Sequence, residues 1–247
     1  MLFRSFTPFH AGIDPAPVID LSDGFDDYYA KLRVKAPHLC KELERKARKL
    51  GREVGELSST TVSRDLDALR TLVAWKSDQY RRTDHVDRFE HPWIVGLLET
   101  LLTADAEYLS GALSVLYAGD RPVAAQFGLR AGPIVVGWFT GYDAAYGKYS
   151  PGLIQLMRLA EGVAATGGTS IHMGKGASKY TNTVKTGDIY VSQGTMTARS
   201  VLGTAHLVRD AAVRRAWLTV RNHPALHDPA DVLLRRSGLS SRMYGKV

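Results

Sequence analysis

The stretch YDAAYGKYSPG, residues 142–152, joins two segments of different periodicity. Before it, short apolar runs separated by the turns AGDR and RAG predict three antiparallel strands within residues 112–143. After it, PGLIQLMRLAEGVAATGG repeats its apolar side chains at helical spacing, at Leu153, Leu156, Met157, Ala160 and Ala164. Ser150 suits the N-cap of that helix and Pro151 its first turn. The stretch is therefore a strand-to-helix joint.

The residue types at this joint predict an anion site. The start of a helix presents unpaired N–H groups and the positive end of the helix dipole, which together bind phosphate. Gly147 and Gly152 allow a ligand close to the backbone, and Lys148 adds a positive charge. Taken alone, the pattern also fits an ordinary helix start.

The rest of the chain predicts a mixed α/β fold. Helices are expected from Phe25, over 37–51, 65–82 and 91–106, and strands within PAPVIDLS and EVGELSSTTV. After the joint helix come a strand at 169–174, a short helix in ASKYTNTVKTG, a strand at 188–196 and a long basic helix. Three meandering strands followed by a strand-helix-strand crossover differ from a sheet of repeated parallel units.

Composition limits the class of protein. The chain has 247 residues, of which 45% are hydrophobic, and no apolar run approaches the ~18 residues of a membrane helix. The N-terminus lacks a signal-peptide core, and Cys40, the single cysteine, is expected to be a packing residue. A cytoplasmic protein is predicted. The net charge of +7 favours anionic partners without selecting one.

Several common catalytic motifs are absent from the sequence. TSIHMGKG fails as a P-loop because Thr169 and Gly176 occupy positions that need Gly and Ser or Thr. The eight histidines show no zinc-binding spacing, and no G-x-S-x-G elbow occurs. No metal site is predicted.

Four segments, in order, resemble the CelD-like acetyltransferases, a branch of the GNAT acyltransferases related to the tandem-GNAT FemAB-like proteins. They are WKSDQYRRTDHVDRF, GDRPVAAQFGLR, GWFTGYDAAYGKYSPGLIQL and GKGASKY. The resemblance covers about residues 17–195. It implies a mainly antiparallel mixed sheet with one splayed parallel strand pair, flanked by helices.

The resemblance also implies a chemistry. Acyl-CoA would lie between the splayed strands with its pyrophosphate on the joint, so Gly147, Lys148, Tyr149, Ser150, Pro151 and Gly152 are the expected cofactor-binding residues. Tyr180 would protonate the leaving thiolate, because a phenol stays protonated near neutrality. Asp143 would be the base or orient the acceptor, and His172 is an alternative base. The expected acceptor-site residues are Lys76, Gln79, Tyr80, Trp138 and Lys185.

The chain departs from the family pattern in ways that affect its domain organisation. His172 stands where the family usually has an acidic residue, and Lys179 precedes rather than follows Tyr180. We expect a segment 1–24 that is a remnant of a first GNAT half, a GNAT-like domain over 25–222 and a tail over 223–247. Phe3, Phe6 and Phe9 would then favour a homodimer interface.

Three functions remain open on the sequence alone. The first is transfer of an acetyl or other acyl group from acyl-CoA to an amine or hydroxyl of a small molecule, amino sugar or polysaccharide precursor. The second is a FemAB-like transferase that uses aminoacyl-tRNA, which the basic surface would suit. The third is a non-catalytic GNAT-like module that binds a partner.

Overall fold

A computed structural model of the chain describes residues 10–104, 106, 108–175 and 179–194, together with residues 200, 203, 205, 208, 209 and 212. Its strands are β1 (His10–Asp20), β2 (Leu57–Ser63), β3 (Ser110–Ala118), β4 (Arg121–Ala131), β5 (Ile134–Tyr142), β6 (Ser170–His172) and β7 (Gly187–Gly194). Its helices are α1 (Phe25–Lys35), α2 (Pro37–Glu53), α3 (Leu66–Arg82), α4 (Pro92–Thr103), α5 (Pro151–Ala165) and α6 (Lys179–Val184). Two 3₁₀ helices cover Arg88–Glu90 and Ala144–Tyr149.

The described strands form one seven-stranded sheet in the order β2-β3-β4-β5-β6-β1-β7. The β5–β6 pair is parallel, and the other pairs are antiparallel. This confirms the predicted α/β class and its mainly antiparallel sheet. Gly119 and Gly132 take φ values of 59° and 58° in the two predicted turns, a conformation that glycine adopts without strain.

The two faces of the sheet carry separate cores. On one face, α1, α2 and α5 pack over a cluster that includes Ile19, Leu116 and Ile171. On the other face, α3 and α4 cover Leu113, Phe127 and their neighbours. We call these the α5 face and the α3 face. β3, β4 and β5 supply residues to both cores, because successive side chains of a strand point to opposite faces.

The first described strand lies far from its sequence neighbours. β1 is inserted between β6 and β7, where Val18 pairs with His172 and Pro15 with Tyr190. Residues 10–20 therefore share the sheet with the last described strands. The three N-terminal phenylalanines, and nearly all of the basic helix expected after residue 198, lie outside the described residues.

Candidate active site

The sheet opens beside its parallel pair. β6 is only three residues long, and its pairing with β5 ends at Val136 and His172. From residue 138 to 142, β5 keeps β4 on one side but has no strand partner on the other among the described residues. Backbone N–H and C=O groups on that side remain available to an extended ligand with amide groups.

A β-bulge lies at the start of this open edge. Phe127 pairs with Phe139 and Gly128 with Gly137, so Trp138 is an extra residue on β5. The Trp138 ring lies 6.2 Å from the Phe127 ring, which places it on the α3 face. Bulges turn a side chain out of the regular pattern and are frequent beside active sites. The predicted acceptor-site residue Trp138 is thus next to the opening.

The joint that follows β5 is a 3₁₀ helix rather than a loop. Asp143 begins it: its Oδ1 accepts a hydrogen bond from Ala145 N at 2.9 Å, and its own N–H donates to Val123 O at 3.1 Å. The carboxylate therefore stabilises the turn that leads to α5. These contacts fit a positioning role, and the role of Asp143 as a catalytic base stays a prediction.

Ser150 occupies the N-cap position of α5, but the predicted side-chain cap is wrong. Its backbone is left-handed, with φ 55° and ψ 51°, and its hydroxyl makes no capping bond. The hydroxyl instead accepts a hydrogen bond from Lys46 Nζ at 2.9 Å. The N–H groups of Leu153 and Ile154 donate to Ser150 O, which leaves Gly152 N–H as the first-turn donor without a described acceptor.

Helix α2 supplies charges to this joint that the sequence pattern did not indicate. Lys46 stands beside Ser150 and 3.4 Å from Glu42. Lys148 is exposed, 4.0 Å from Glu53 and 4.9 Å from the Tyr149 ring centroid. Tyr149 is buried and its hydroxyl donates to Glu53, so its side chain faces α2 rather than the opening. The hydrogen bond from Tyr149, with Lys49 and Lys148 nearby, lowers the pKa of Glu53.

Two glycines at the joint leave space above the backbone because they have no side chain. A Cβ on Gly147 or Gly152 would come within 3.7 Å and 3.6 Å of the Tyr142 ring. A Cβ on Gly137 would come 2.7 Å from Gln126 Nε2, so that position accepts no side chain without movement of Gln126. Gly147 and Gly152 thus leave room for a ligand beside Tyr142, whereas a side chain at Gly137 would require the end of the Gln126 side chain to move.

Three predicted acceptor-site residues lie together on the α3 face. Lys76 Nζ donates to Gln79 Oε1 at 3.1 Å and lies 5.3 Å from the Tyr80 ring centroid. No described carboxylate forms an ion pair with it, and burial lowers the pKa of its ammonium group. A half-buried ammonium without a carboxylate is poorly compensated.

A row of aromatic rings connects this lysine to the bulge. The Tyr80 ring stacks on Phe89 at 6.1 Å, and Phe89 contacts Phe139 at 5.1 Å. Phe139 in turn contacts the Trp138 ring edge-on at 6.4 Å. Lys76 and Trp138 are therefore the two ends of one aromatic wall. Sequence spacing could group residues 76, 79 and 80, but not this wall, which is built from three separate segments.

The remaining predicted residues are placed as follows. Ile171 belongs to the α5-face core, so His172 points to the α3 face, the same face as Trp138. Burial lowers the pKa of His172, whose Nε2 lies 3.4 Å from Ser170 Oγ. Tyr180 is 52% exposed in the first turn of α6. Lys185 is paired with Asp188 at 2.6 Å.

The structure does not join the three predicted catalytic residues directly. Among the described residues, no hydrogen bond or ion pair connects Tyr180, Asp143 and His172. His172 is near the bulge, Asp143 is at the far end of the open edge, and Tyr180 follows the β6–α6 loop. Lys185 forms an ion pair with Asp188 between α6 and β7. Its predicted contact with the substrate would require this ion pair to break.

A mixed sheet that opens beside one parallel pair, with a helix start at the end of the opening, is the architecture of a GNAT acyltransferase. The chain belongs to the acetyltransferase (GNAT) domain family, whose profile matches residues 38–182. This family membership supports acyl transfer in general terms. The narrower resemblance to the CelD-like branch stays a prediction.

Comparison with solved structures gives distant similarities. One is the C-terminal DUF2156 domain of a protein described as a lysylphosphatidylglycerol synthetase from Agrobacterium fabrum, with 14% identity, a TM-score of 0.49 and coverage of 82% of this chain and 66% of that one. Another is a conserved protein of unknown function from Bacteroides thetaiotaomicron, with 12% identity, a TM-score of 0.48 and coverage of 78% and 65%. The chain thus spans slightly less than two thirds of each. No curated protein matches the chain.

Within the described residues, none of the helices is both long and apolar enough to cross a membrane.

Proposed function

We propose that the chain transfers an acetyl or other acyl group from acyl-CoA to an amine or hydroxyl of a small molecule, such as an amino sugar or polysaccharide precursor. The observation that carries this proposal is the open edge of β5 from 138 to 142, which begins at a bulge and ends at the start of α5. An extended ligand with amide groups could pair along that edge, with one end of the ligand at the bulge and the other at the start of α5.

The donor side of the proposal rests on the joint. Pantetheine amides would pair with the open edge of β5, and the pyrophosphate would lie near Gly152 N–H. Lys46 and Lys148 supply positive charge there, and Gly147 and Gly152 leave the approach unobstructed. Bound acyl-CoA would supply an activated thioester at the bulge end.

The acceptor side of the proposal rests on the α3 face. His172 and Trp138 share this face, and the aromatic wall leads from Trp138 to Lys76. The wall would position the acceptor and exclude water. The ammonium group of Lys76, which lacks a described carboxylate, would bind an anionic or hydroxyl group of the acceptor.

Two proton transfers complete the reaction. His172 accepts the proton of the attacking amine or hydroxyl, since its lowered pKa keeps the imidazole neutral near pH 7. A bond forms between the acceptor atom and the acyl carbon while the bond from that carbon to sulfur breaks. Tyr180 gives its proton to the leaving thiolate. Asp143 holds the joint in place through Ala145.

Calorimetry with acetyl-CoA, free CoA and an uncharged tRNA tests the donor. We expect acetyl-CoA and CoA to bind, and the Gly152→Val variant to lose that binding because its side chain would fill the approach beside Tyr142. Ala144→Val, at an exposed position of the same joint, is the matched control and should bind normally. Binding of tRNA with no binding of CoA would favour an aminoacyl donor, and binding of neither would favour a non-catalytic module.

A further inference from the structure

Strand β2 lies at one edge of the described sheet, and the outer side of this strand is open. Among the strands that the structure describes, β2 pairs only with β3, and Ser58, Ser59 and Thr60 are all exposed. Its sequence, LSSTTVS, contains neither a charge nor a proline. Such residues commonly protect edge strands from pairing with another chain, so their absence here leaves an edge able to accept a further strand.

The pairing pattern shows which groups point outward. Gly119 N donates to Glu56 O at 2.8 Å, and Ser114 Oγ donates to Thr60 O at 2.7 Å. Residues 56, 58 and 60 therefore direct their backbone groups to β3, and the antiparallel alternation turns those of Leu57 and Ser59 outward. The register shifts after Thr60, which ends the regular edge. About four residues of a partner strand could pair there.

An arginine-lined groove adjoins the beginning of this edge. It has a volume of about 690 Å³ and is lined by Leu57, Gly51, Ala47, Glu56 and four arginines, Arg45, Arg48, Arg52 and Arg158. Arg45 is bonded to Glu42 and Arg158 to Glu161, each on its own helix. Arg48 and Arg52 make no ion pair or hydrogen bond with a described residue. The groove thus holds an excess of positive charge.

From the open edge and the arginine groove together, we infer that β2 is a docking site for an extended acidic peptide segment of a partner protein. The segment adds a strand beside Leu57 and Ser59, and its carboxylates enter the groove at the Leu57 end. Backbone pairing supplies the affinity, and guanidinium–carboxylate contacts select acidic partners. None of these residues belongs to the proposed acyl-transfer site, so the inference does not depend on that function.

Other occupants fit less well. A nucleic acid has no peptide groups to pair with the edge, and the residues that line the groove include no aromatic side chain for stacking on bases. A second copy of the chain, with its own net charge of +7, would be repelled electrostatically. The acidic peptide is the occupant that matches both the edge and the groove.

The test uses fluorescence anisotropy with a labelled peptide of alternating threonine and valine followed by three glutamates, an order that puts the glutamates at the Leu57 end when the peptide pairs antiparallel to β2. Two matched peptides separate the contributions: one replaces glutamate by lysine, and one carries N-methyl groups on alternate residues of the threonine-valine part. We expect the acidic peptide to bind and each altered peptide to bind at least about tenfold more weakly. Equal binding of the N-methylated peptide would overturn strand addition, because that peptide cannot donate along one edge.

Protein variants complete the test. The double variant Arg48→Gln/Arg52→Gln should weaken the acidic peptide about tenfold, while the control Arg33→Gln/Arg70→Gln, with the same loss of charge, should not. Ser59→Pro removes one outward N–H and should weaken binding, whereas Ser59→Ala keeps it. Unchanged binding to the Arg48/Arg52 variant would overturn the inference. A preference for single-stranded poly-U RNA over the peptide, or peptide-independent dimerisation through β2, would do so as well.

Discussion

The lysines on the two faces of the sheet differ in the carboxylates that lie beside them. On the α5 face, Lys46 and Lys148 lie beside Glu42 and Glu53, and the side chain of Lys148 is 66% exposed. On the α3 face, Lys76 is half-buried without a described carboxylate, and burial lowers the pKa of its ammonium group. A compensated, exposed charge contributes little to ligand affinity, whereas an uncompensated one contributes more when the ligand brings an anion. We therefore propose that the α3 face, rather than the α5 face, supplies most of the binding specificity.

The largest effect is expected at His172, the proposed base on the α3 face. His172→Gln should keep acyl-CoA binding and lower kcat about 10³-fold. In the wild type, the acidic limb of the kcat profile should fall below the ordinary histidine pKa of 6.5, since protonation removes the base and burial lowers its pKa. A variant with nearly normal turnover would remove His172 from the reaction and leave Asp143 as the remaining candidate base.

Tyr180 should give the next largest effect. Tyr180→Phe removes only the hydroxyl group, so acyl-CoA binding should persist while turnover falls about 10²-fold. Tyr190→Phe is the matched control, because Tyr190 is also exposed but belongs to β7. Single-turnover kinetics would measure both variants. Turnover close to that of the wild type would mean that water or another group protonates the thiolate.

Lys76 provides the sharpest contrast with the α5 face. Lys76→Met should raise the acceptor KM about tenfold, because the proposed anion partner is lost. The same substitution should raise the melting temperature, since it removes a half-buried ammonium that has no described carboxylate. The control Lys31→Met removes an exposed lysine bonded to Asp27 at 2.6 Å. If Lys76→Met lowered stability and left KM unchanged, the lysine would be a packing residue.

Lys148 should show a smaller effect than its position at the joint first suggests. Lys148→Glu should weaken CoA binding only about threefold, because the lysine is exposed and Glu53 is already beside it. Lys49→Glu makes the same charge change next to the same Glu53 and should have less effect. Loss of a hundredfold or more in affinity on Lys148→Glu would show that this exposed cation contributes strongly to donor binding despite Glu53, and would remove the proposed contrast between the faces.

The α5 face also contains a buried amide without a partner. Gln155 is fully buried, and neither its Nε2 nor its Oε1 has a hydrogen bond among the described groups. Gln155→Leu should therefore raise the free energy of unfolding by about 1 kcal/mol. Gln126→Leu is the matched control and should lower it, because Gln126 accepts a hydrogen bond from Thr140 at 3.3 Å. A destabilised Gln155→Leu variant would indicate that the amide holds an ordered water.

Local sequence signals predicted the elements well. The turns at Gly119 and Gly132, the start of α5 at Pro151 and the grouping of Lys76 with Gln79 and Tyr80 follow from backbone preference or helical spacing. Each depends on residues that are close in the chain. These features could therefore be predicted from the sequence without knowledge of the strand order.

Features that depend on contacts between residues far apart in the sequence could not be predicted from local sequence signals. Lys46 reaches Ser150 only because α2 packs over the joint, and this contact occupies the hydroxyl that was expected to cap α5. The bulge at Trp138 exists only in the register of β4 against β5. The position of β1 between β6 and β7 likewise depends on pairing across the whole chain. Tertiary contacts, rather than local preference, complete the site.

Backbone hydrogen exchange with and without acetyl-CoA tests the central claim most directly. If the donor pairs with the open edge of β5, amides between Trp138 and Tyr142 that face away from β4, together with Gly152 N–H, should become protected on addition of acetyl-CoA. Amides of the outer edge of β2 should be unaffected. Protection confined to other segments, with residues 138–142 and 152 unchanged, would contradict the account.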